Sequence, residues 1–351
     1  MSTVGCAVAC GDRAFEFGSY VPYAVVAFVI AAGLGWPAIL LLRRLSFRQK
    51  AYEDAPQSHA LKTGTPTMGG LIFAAVLLLF CGLAWHVPPM RVPFVDLSPA
   101  VLELAGLGLA CGAIGFADDC MGIVLGRNRG LGARTKFALT GVAGVLFLVA
   151  VAATPWHVST SFLAIGNFAF PVPEWLWYAL GMAVVLSTTH AVNLTDGLDG
   201  LAAGTIVAPL VLLAYMAARR YDTWAVGAVD LVTVGAVLGF LIYNRHPAKV
   251  FMGDTGSLLL GGILAGSAIM LDQQLLLPLI GGVFAAEALS VIIQVAYFKR
   301  TKKRIFRMSP LHHHFELGGW PETKVTTRFW VASLALSLVG LGLTAIGSPA
   351  S

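Results

Sequence analysis

The stretch VVLSTTHAVNLTDGLDGLAAGTIVAPLVLLAYMAA, Val184 to Ala218, decides the fold. One apolar run leads into the polar segment NLTDGLDG and a second leads out of it. A hydrocarbon core about 30 Å thick is crossed by about 20 mostly apolar helical residues. The two flanks extend over about 175–192 and 200–218, close to that length, so the stretch reads as two membrane helices meeting at a polar end. Two carboxylates, Asp196 and Asp199, stand at that end. Ionisable groups at membrane depth cost roughly 2.5–3.5 kcal/mol on insertion scales and persist mainly for function.

The composition of the rest agrees. Only 12% of the residues are charged and 57% are hydrophobic, against about 25% and 45–50% in soluble domains. Ten segments reach span length, at about 21–42, 67–85, 99–117, 137–156, 175–192, 200–218, 224–243, 256–271, 275–298 and 329–347. Their connections are short and no internal repeat stands out, so residues 1–351 read as a single all-α, polytopic membrane domain. The N-terminal MSTVGCAVACGDR lacks the charged start and apolar core of a cleaved signal peptide, which makes the first span a retained helix.

Lysine and arginine set the orientation. The connecting segments at about 43–66, 118–136, 193–199, 244–255 and 299–328 hold 19 of the 23 basic residues. By the positive-inside rule these are cytoplasmic and both termini are external. Asp118, Asp119, Asp196, Asp199 and Asp254 then all fall at cytoplasmic span ends. Each alone reads equally well as a helix cap; five together, among Asn and Gly, point to a site.

Spacing supports convergence. If the sixth helix starts within Asn193–Gly200, then Asn193, Asp196 and Asp199 share an arc of about 120° and face one cavity. Asp118 and Asp119 point about 100° apart on a helix, so one meets a ligand and the other a structural partner. In VFMGDTGSLLLGG, Val250 to Gly262, Asp254 lies between Gly253 and Gly256 at a helix start. Backbone N–H groups there suit an anion, and an Asp with phosphate oxygens suits Mg2+. Neither a GxxxxGKT loop nor a GxGxxG turn occurs, which argues against ATP or NAD, and no nucleic acid partner is expected. His312, His313 and His314 lack zinc-site spacing and read as hydrogen-bonding or phosphate-binding groups. The neighbouring KRTKKRIFR suits anionic membrane lipids or a helix anchor.

Five segments in constant order resemble the motifs of the phospho-N-acetylmuramoyl-pentapeptide transferases, bacterial translocases that make lipid I. They are GTPTMGG at 64–70, GFADD at 115–119, NLTDGLDGLAAG at 193–204, VFMGDTGSL at 250–258 and SPLHHHFELGGWPETKV at 309–325. The resemblance implies a ten-helix fold in the bacterial inner membrane, with both termini outside and the active site on the cytoplasmic face. It implies that UDP-N-acetylmuramoyl-pentapeptide gives its phospho-sugar to undecaprenyl phosphate with release of UMP, that Mg2+ is the cofactor, and that a homodimer is admissible. By match to the family motifs, Asp254 holds Mg2+ and Asp118 or Asp119 orients or deprotonates the lipid phosphate. Asn193, Asp196, Gly197, Leu198 and Asp199 line the nucleotide end, and Phe251 stacks on uracil. Asn244, Gln294 and His313 stand nearby, the last flanked by His312 and His314, while Lys62 and Thr67 complete the cleft.

Where the family often has a Lys three residues after the acidic pair, this chain has Gly122, so the missing charge falls to Arg127, Arg129, Arg134 or Lys136. Glu287 lies inside a span and also recurs in the family, as a packing or kink residue. Cys81, Cys111 and Cys120 lack metal spacing; Cys6 and Cys10 are external and pair only if their Cα atoms come within about 7 Å, for which a separation of four residues is a weak reason. Two alternatives remain: a sister polyprenyl-phosphate N-acetylhexosamine-1-phosphate transferase, against which the HHHFE run speaks, and an ion-coupled transporter, which calls for carboxylates near the bilayer midplane.

Overall fold

A computed structural model describes residues 17–45, 64–86, 99–124, 130–154, 162–219 and 223–345, and helices dominate them. In chain order they are α1 (Val21–Arg44), α2 (Gly70–His86), α3 (Pro99–Val124) and α4 (Ala133–Ala153), followed by a hairpin of β1 (Phe162–Ile165) and β2 (Phe168–Pro171). Then come α5 (Glu174–Thr195), α6 (Leu201–Thr205), α7 (Val207–Ala218), α8 (Trp224–Asn244), α9 (Gly253–Met270) and α10 (Leu277–Ile280). The chain continues through α11 (Gly282–Thr301), α12 (Leu311–Glu316) and α13 (Glu322–Ala345). Among the described residues nine helical stretches are long and apolar enough to cross a membrane, and Gly70–Gly82 is a shorter apolar one.

Helix α9 is the axis. Every residue from Thr255 to Met270 is buried, and α3, α5, α2 and α8 pack around it. Its run GSLLLGGILAGSAIM alternates small and branched residues, which lets neighbouring backbones approach where hydrocarbon outside removes the usual hydrophobic drive to associate. The peripheral helices are apolar outward instead. Val142, Leu146 and Val149 of α4, Leu289 and Ile292 of α11, and Val331, Leu334 and Leu338 of α13 are all exposed. That pattern suits a lipid solvent.

Several expected boundaries move. The span at 200–218 is two helices, α6 and α7, and the one at 275–298 breaks between α10 and α11 at Gly281. Asp118 and Asp119 belong to α3, which runs on to Val124. The expectation that Asn193, Asp196 and Asp199 share a helical arc is corrected. Asn193 is in the last turn of α5, Asp196 is its C-cap, and Asp199 lies in the turn before α6. Gly200 has φ +73°, which ends any helical path through the segment. The hairpin was not anticipated; its two-residue Gly166-Asn167 turn joins Ile165 to Phe168, and Gln273 clamps it by accepting from the Gly166 N–H and donating to the Gly166 carbonyl. Two acids in spans also escaped notice: half-buried Glu103 of α3, which accepts from the Thr154 hydroxyl just past α4, and buried Asp230 of α8, whose carboxylate accepts from Ser267 at 2.5 Å.

The α6/α7 break has a local cause. Pro209 has no N–H to give the carbonyl of Thr205 one turn back. Ser333 of α13 supplies the missing donor, its hydroxyl lying 2.7 Å from the Thr205 oxygen, and both residues are buried. Replacing Ser333 by Ala leaves a buried acceptor unsatisfied, at a cost of about 1–3 kcal/mol. Thermal unfolding in detergent should therefore show Ser333→Ala less stable than the parent, and Pro209→Ala added to it should recover much of the loss by restoring a helical N–H.

Candidate active site

The polar ends of α3, α5 and α9, with the first turn of α4, meet at one end of the bundle. The start of α9 needs partners for its leading N–H groups. Asp119, from α3, provides them: Oδ1 accepts from the Asp254 N–H at 3.2 Å, and Oδ2 from the Thr255 N–H at 3.0 Å and the Thr255 hydroxyl at 2.6 Å. Both oxygens of Asp119 are thus committed to holding α9 against α3. Gly253, with φ +71°, makes the approach possible, since a Cβ there would stand 2.7 Å from Asp119 Oδ2 and 2.8 Å from Thr67 Oγ1.

Asp118 is placed differently. Its Oδ1 accepts from the Leu131 N–H at 2.8 Å and lies 3.1 Å from Lys136 Nζ, while among the described residues its other oxygen takes no amide or ammonium donor. Lys136 also pairs with Asp254. Of the four basic residues proposed to replace the charge absent at Gly122, Lys136 is therefore the one between the carboxylates; Arg127 and Arg129 lie outside the described residues. Asn193 completes the group, its amide donating to Asp254 Oδ1 at 2.8 Å and to the Ser257 hydroxyl at 2.9 Å. One oxygen each from Asp118, Asp119 and Asp254 lies within 4.8 Å of the others. Opposite ligands of Mg2+, each at about 2.0–2.1 Å, stand about 4.2 Å apart, so the cluster is of the size a small divalent ion needs. Among the described residues one ammonium faces three carboxylates, which leaves negative charge there for such an ion to balance.

Asp196 lies beside this group and is half-buried. Burial, followed by the charges of Asp254, Asp119 and Asp199, pushes its pKa up to about 8. Such a carboxyl is largely protonated at neutral pH and donates as well as accepts, and a bound cation at Asp254 would draw the value down. On the membrane side of Lys136, Phe137 of α4 stacks on His190 of α5, with ring centroids 5.5 Å apart.

The remaining expected residues take other positions. Thr67 is buried beside Gly253, and Phe251 sits in a short ribbon in which its N–H donates to the Pro66 carbonyl and its own carbonyl accepts from the Gly69 N–H. Asp199 is buried, with Oδ2 accepting from the Ala248 N–H at 3.0 Å and lying 3.1 Å from His246 Nδ1. Asn244 accepts from the Gly200 N–H and donates to the Val250 carbonyl. Gln294 accepts from the Ile305 and Phe306 N–H groups. Gly197 backs onto His312, and Leu198 packs with Leu201 and Val325 beside Phe315 and Trp320. His313 pairs with Glu316 at 2.8 Å, and His314 accepts from the Arg307 N–H. These contacts shape the loops around the carboxylates, which the sequence placed in the cleft wall. Lys62 lies outside the described residues. Sequence reasoning did not single out His246 and Glu322, which join Asp199 in a second cluster of potential ligands; the available signal was their place, one just past α8 and one opening α13 within the segment at 309–325.

A family model described as "Glycosyl transferase family 4" matches residues 101–272. Full-length similarity is closer. A protein of Desulforudis audaxviator is 45% identical over 337 residues, covering 92% of this chain and 97% of its own. One of Heliobacterium modesticaldum is 46% identical over 327 residues, covering 90% and 96%, and one of Staphylococcus epidermidis is 44% identical over 322, covering 91% and 97%. All three are named phospho-N-acetylmuramoyl-pentapeptide-transferase.

The geometry separates the two adjacent acids. Asn offers one acceptor oxygen where Asp119 uses two, so Asp119→Asn should destabilise the fold by about 1–3 kcal/mol. Asp118→Asn should leave thermal unfolding near that of the parent and lower turnover at least about tenfold. Parallel melting and turnover measurements on the two variants check the assignment; equal melting loss in both would contradict it.

Proposed function

This chain belongs to the phospho-N-acetylmuramoyl-pentapeptide-transferase family, and on that premise we propose how its carboxylate site forms lipid I. The donor is UDP-N-acetylmuramoyl-pentapeptide, the acceptor is undecaprenyl phosphate and the products are lipid I and UMP. A phosphate oxygen of the acceptor attacks the phosphorus next to the sugar, and the bond from that phosphorus to the UMP oxygen breaks. Such transfer depends on alignment and on neutralising charge at the phosphoryl oxygens. The observation that carries the reading is the set formed by Asp118, Asp254, Lys136 and Asn193 where three membrane helices meet a fourth.

Each group has a part. Asp254 and Asp118 are the residues to hold Mg2+, which when bound balances charge on the pyrophosphate. Lys136 puts a positive charge between the same carboxylates and draws phosphoryl oxygens to them. Asn193 fixes the side chain of Asp254, and Asp119 keeps α9 and α3 in register beneath it. The acceptor phosphate has its second pKa near about 6 and is largely dianionic at neutral pH, so Asp118 serves more to orient it than to remove a proton. Asp196, able to donate, faces the nucleotide end. The basic loops at this end favour a cytoplasmic placement, where the soluble sugar nucleotide is made.

UMP release in detergent with undecaprenyl phosphate tests the reading. The expected outcome is turnover with UDP-N-acetylmuramoyl-pentapeptide, none with UDP-N-acetylglucosamine, and saturation by added Mg2+ that Asp254→Asn abolishes. Turnover with UDP-N-acetylglucosamine instead would assign the chain's chemistry to the sister transferases, and an unchanged Mg2+ response in Asp254→Asn would remove Asp254 as the ligand.

A further inference from the structure

Glu287 has no exposed surface, although it sits in α11, a membrane-spanning helix. A carboxylate at such depth costs about 2.5–3.5 kcal/mol on insertion scales unless partners offset it. Its partners come from one residue of another element. The His312 N–H, in the first turn of α12, donates to Glu287 Oε1 at 3.1 Å, and His312 Nδ1 lies 3.3 Å from Glu287 Oε2. Among the described residues neither Nδ1 nor Oε2 makes a formed hydrogen bond and both are shut off from solvent, as is Nε2, so at 3.3 Å Nδ1 and Oε2 are left facing each other. An ionised carboxylate only accepts; the arrangement therefore calls for a proton on Nδ1.

The far edge of the same ring meets the turn after α5. A Cβ at residue 197 would stand 2.3 Å from His312 Nε2 and 2.9 Å from Cε1, so glycine is what lets that turn lie against the imidazole. The ring of His313 lies on the ring of His312, with centroids 4.2 Å apart. One buried side chain thus reaches from Glu287 to the turn that begins with Asp196, and backs His313 on the way.

We propose that Glu287 is a positioning residue for the transfer reaction: by holding His312 with its proton on Nδ1, it sets the separation between His313 and the Asp196–Leu198 turn. This rests on the transferase reading above. Glu287 acts only through His312, and its role is distinct from helix packing because it depends on two acceptor oxygens rather than on shape.

Glu287→Gln tests that difference. Glutamine keeps the shape but offers one acceptor and one donor, so whichever way the amide turns, the His312 N–H or the Nδ1–H faces an NH2 group. Nitrogen NMR of histidine-labelled protein in detergent reads the tautomer, with the His312 signals assigned by their loss in His312→Asn. The expected wild-type result is a proton on Nδ1, with or without one on Nε2, and in Glu287→Gln a neutral ring protonated at Nε2. Glu287→Gln should also lower kcat/KM for UMP release at least about tenfold while its unfolding temperature stays near that of the parent. A wild-type ring protonated at Nε2 alone, or Glu287→Gln turnover within about twofold of the parent, overturns the proposal. If Glu287→Gln fails to fold, the wild-type tautomer decides. Failure of the wild type to release UMP would count against the transferase reading, whereas the tautomer measurement stands apart from it.

Discussion

Three donors at the start of α9 converge on the carboxylate of Asp119, and the rest of the site depends on that contact. It satisfies the leading N–H groups of a helix that is buried from Thr255 to its end. It also fixes the depth of α3 against α9, and so the distance between Asp118 on one and Asp254 on the other. Negative charge at a helix N-terminus is favourable, which helps a membrane protein keep several carboxylates together at the end of its central helix.

What the cap leaves over is charge. Asp119 is taken up by two backbone N–H groups and the Thr255 hydroxyl, whereas Asp118 and Asp254 share the ammonium of Lys136 among the described residues. A chain with only 12% charged residues keeps this imbalance at the end of a bundle whose outer surface is otherwise suited to lipid. The same economy recurs at smaller scale. Glu287 meets one histidine, Asp230 one serine, and the Thr205 carbonyl freed by Pro209 one serine hydroxyl. Each of these three groups has a partner from a different helix, so these contacts fix which helices are neighbours as well as how closely they pack.

Much of this was legible in the sequence because span length and polar ends follow directly from bilayer thickness. The runs around NLTDGLDG gave the helices, and the clustering of Asp118, Asp196 and Asp254 at span ends gave the site. Local detail was harder. Asn193, Asp196 and Asp199 recur every third residue, a spacing that a helix and a glycine-rich turn share, and only the left-handed Gly200 distinguishes the turn. The part played by Lys136 depends on α4 bringing its first turn to α3 and α9, a tertiary contact with no local signature. For the same reason Asp199, Asn244 and Gln294 read as cleft residues in sequence, while in the fold their hydrogen bonds go to neighbouring loops. His246 carried no motif, and Glu322, though inside the segment at 309–325, was not singled out; both are seen as possible ligands only through their meeting with Asp199.

On the proposed reading, Asp118 and Asp254, with Asp119 held back as a cap, form one site for a small divalent cation. Counting Mn2+ bound to the purified protein in detergent by electron paramagnetic resonance, without substrate, tests it most directly. The expected result is one displaceable ion that depends on these carboxylates, apart from any held by Asp199, His246 and Glu322, with that ion lost in Asp254→Asn and weakened in Asp118→Asn. Equal Mn2+ binding by the wild type and Asp254→Asn would contradict it.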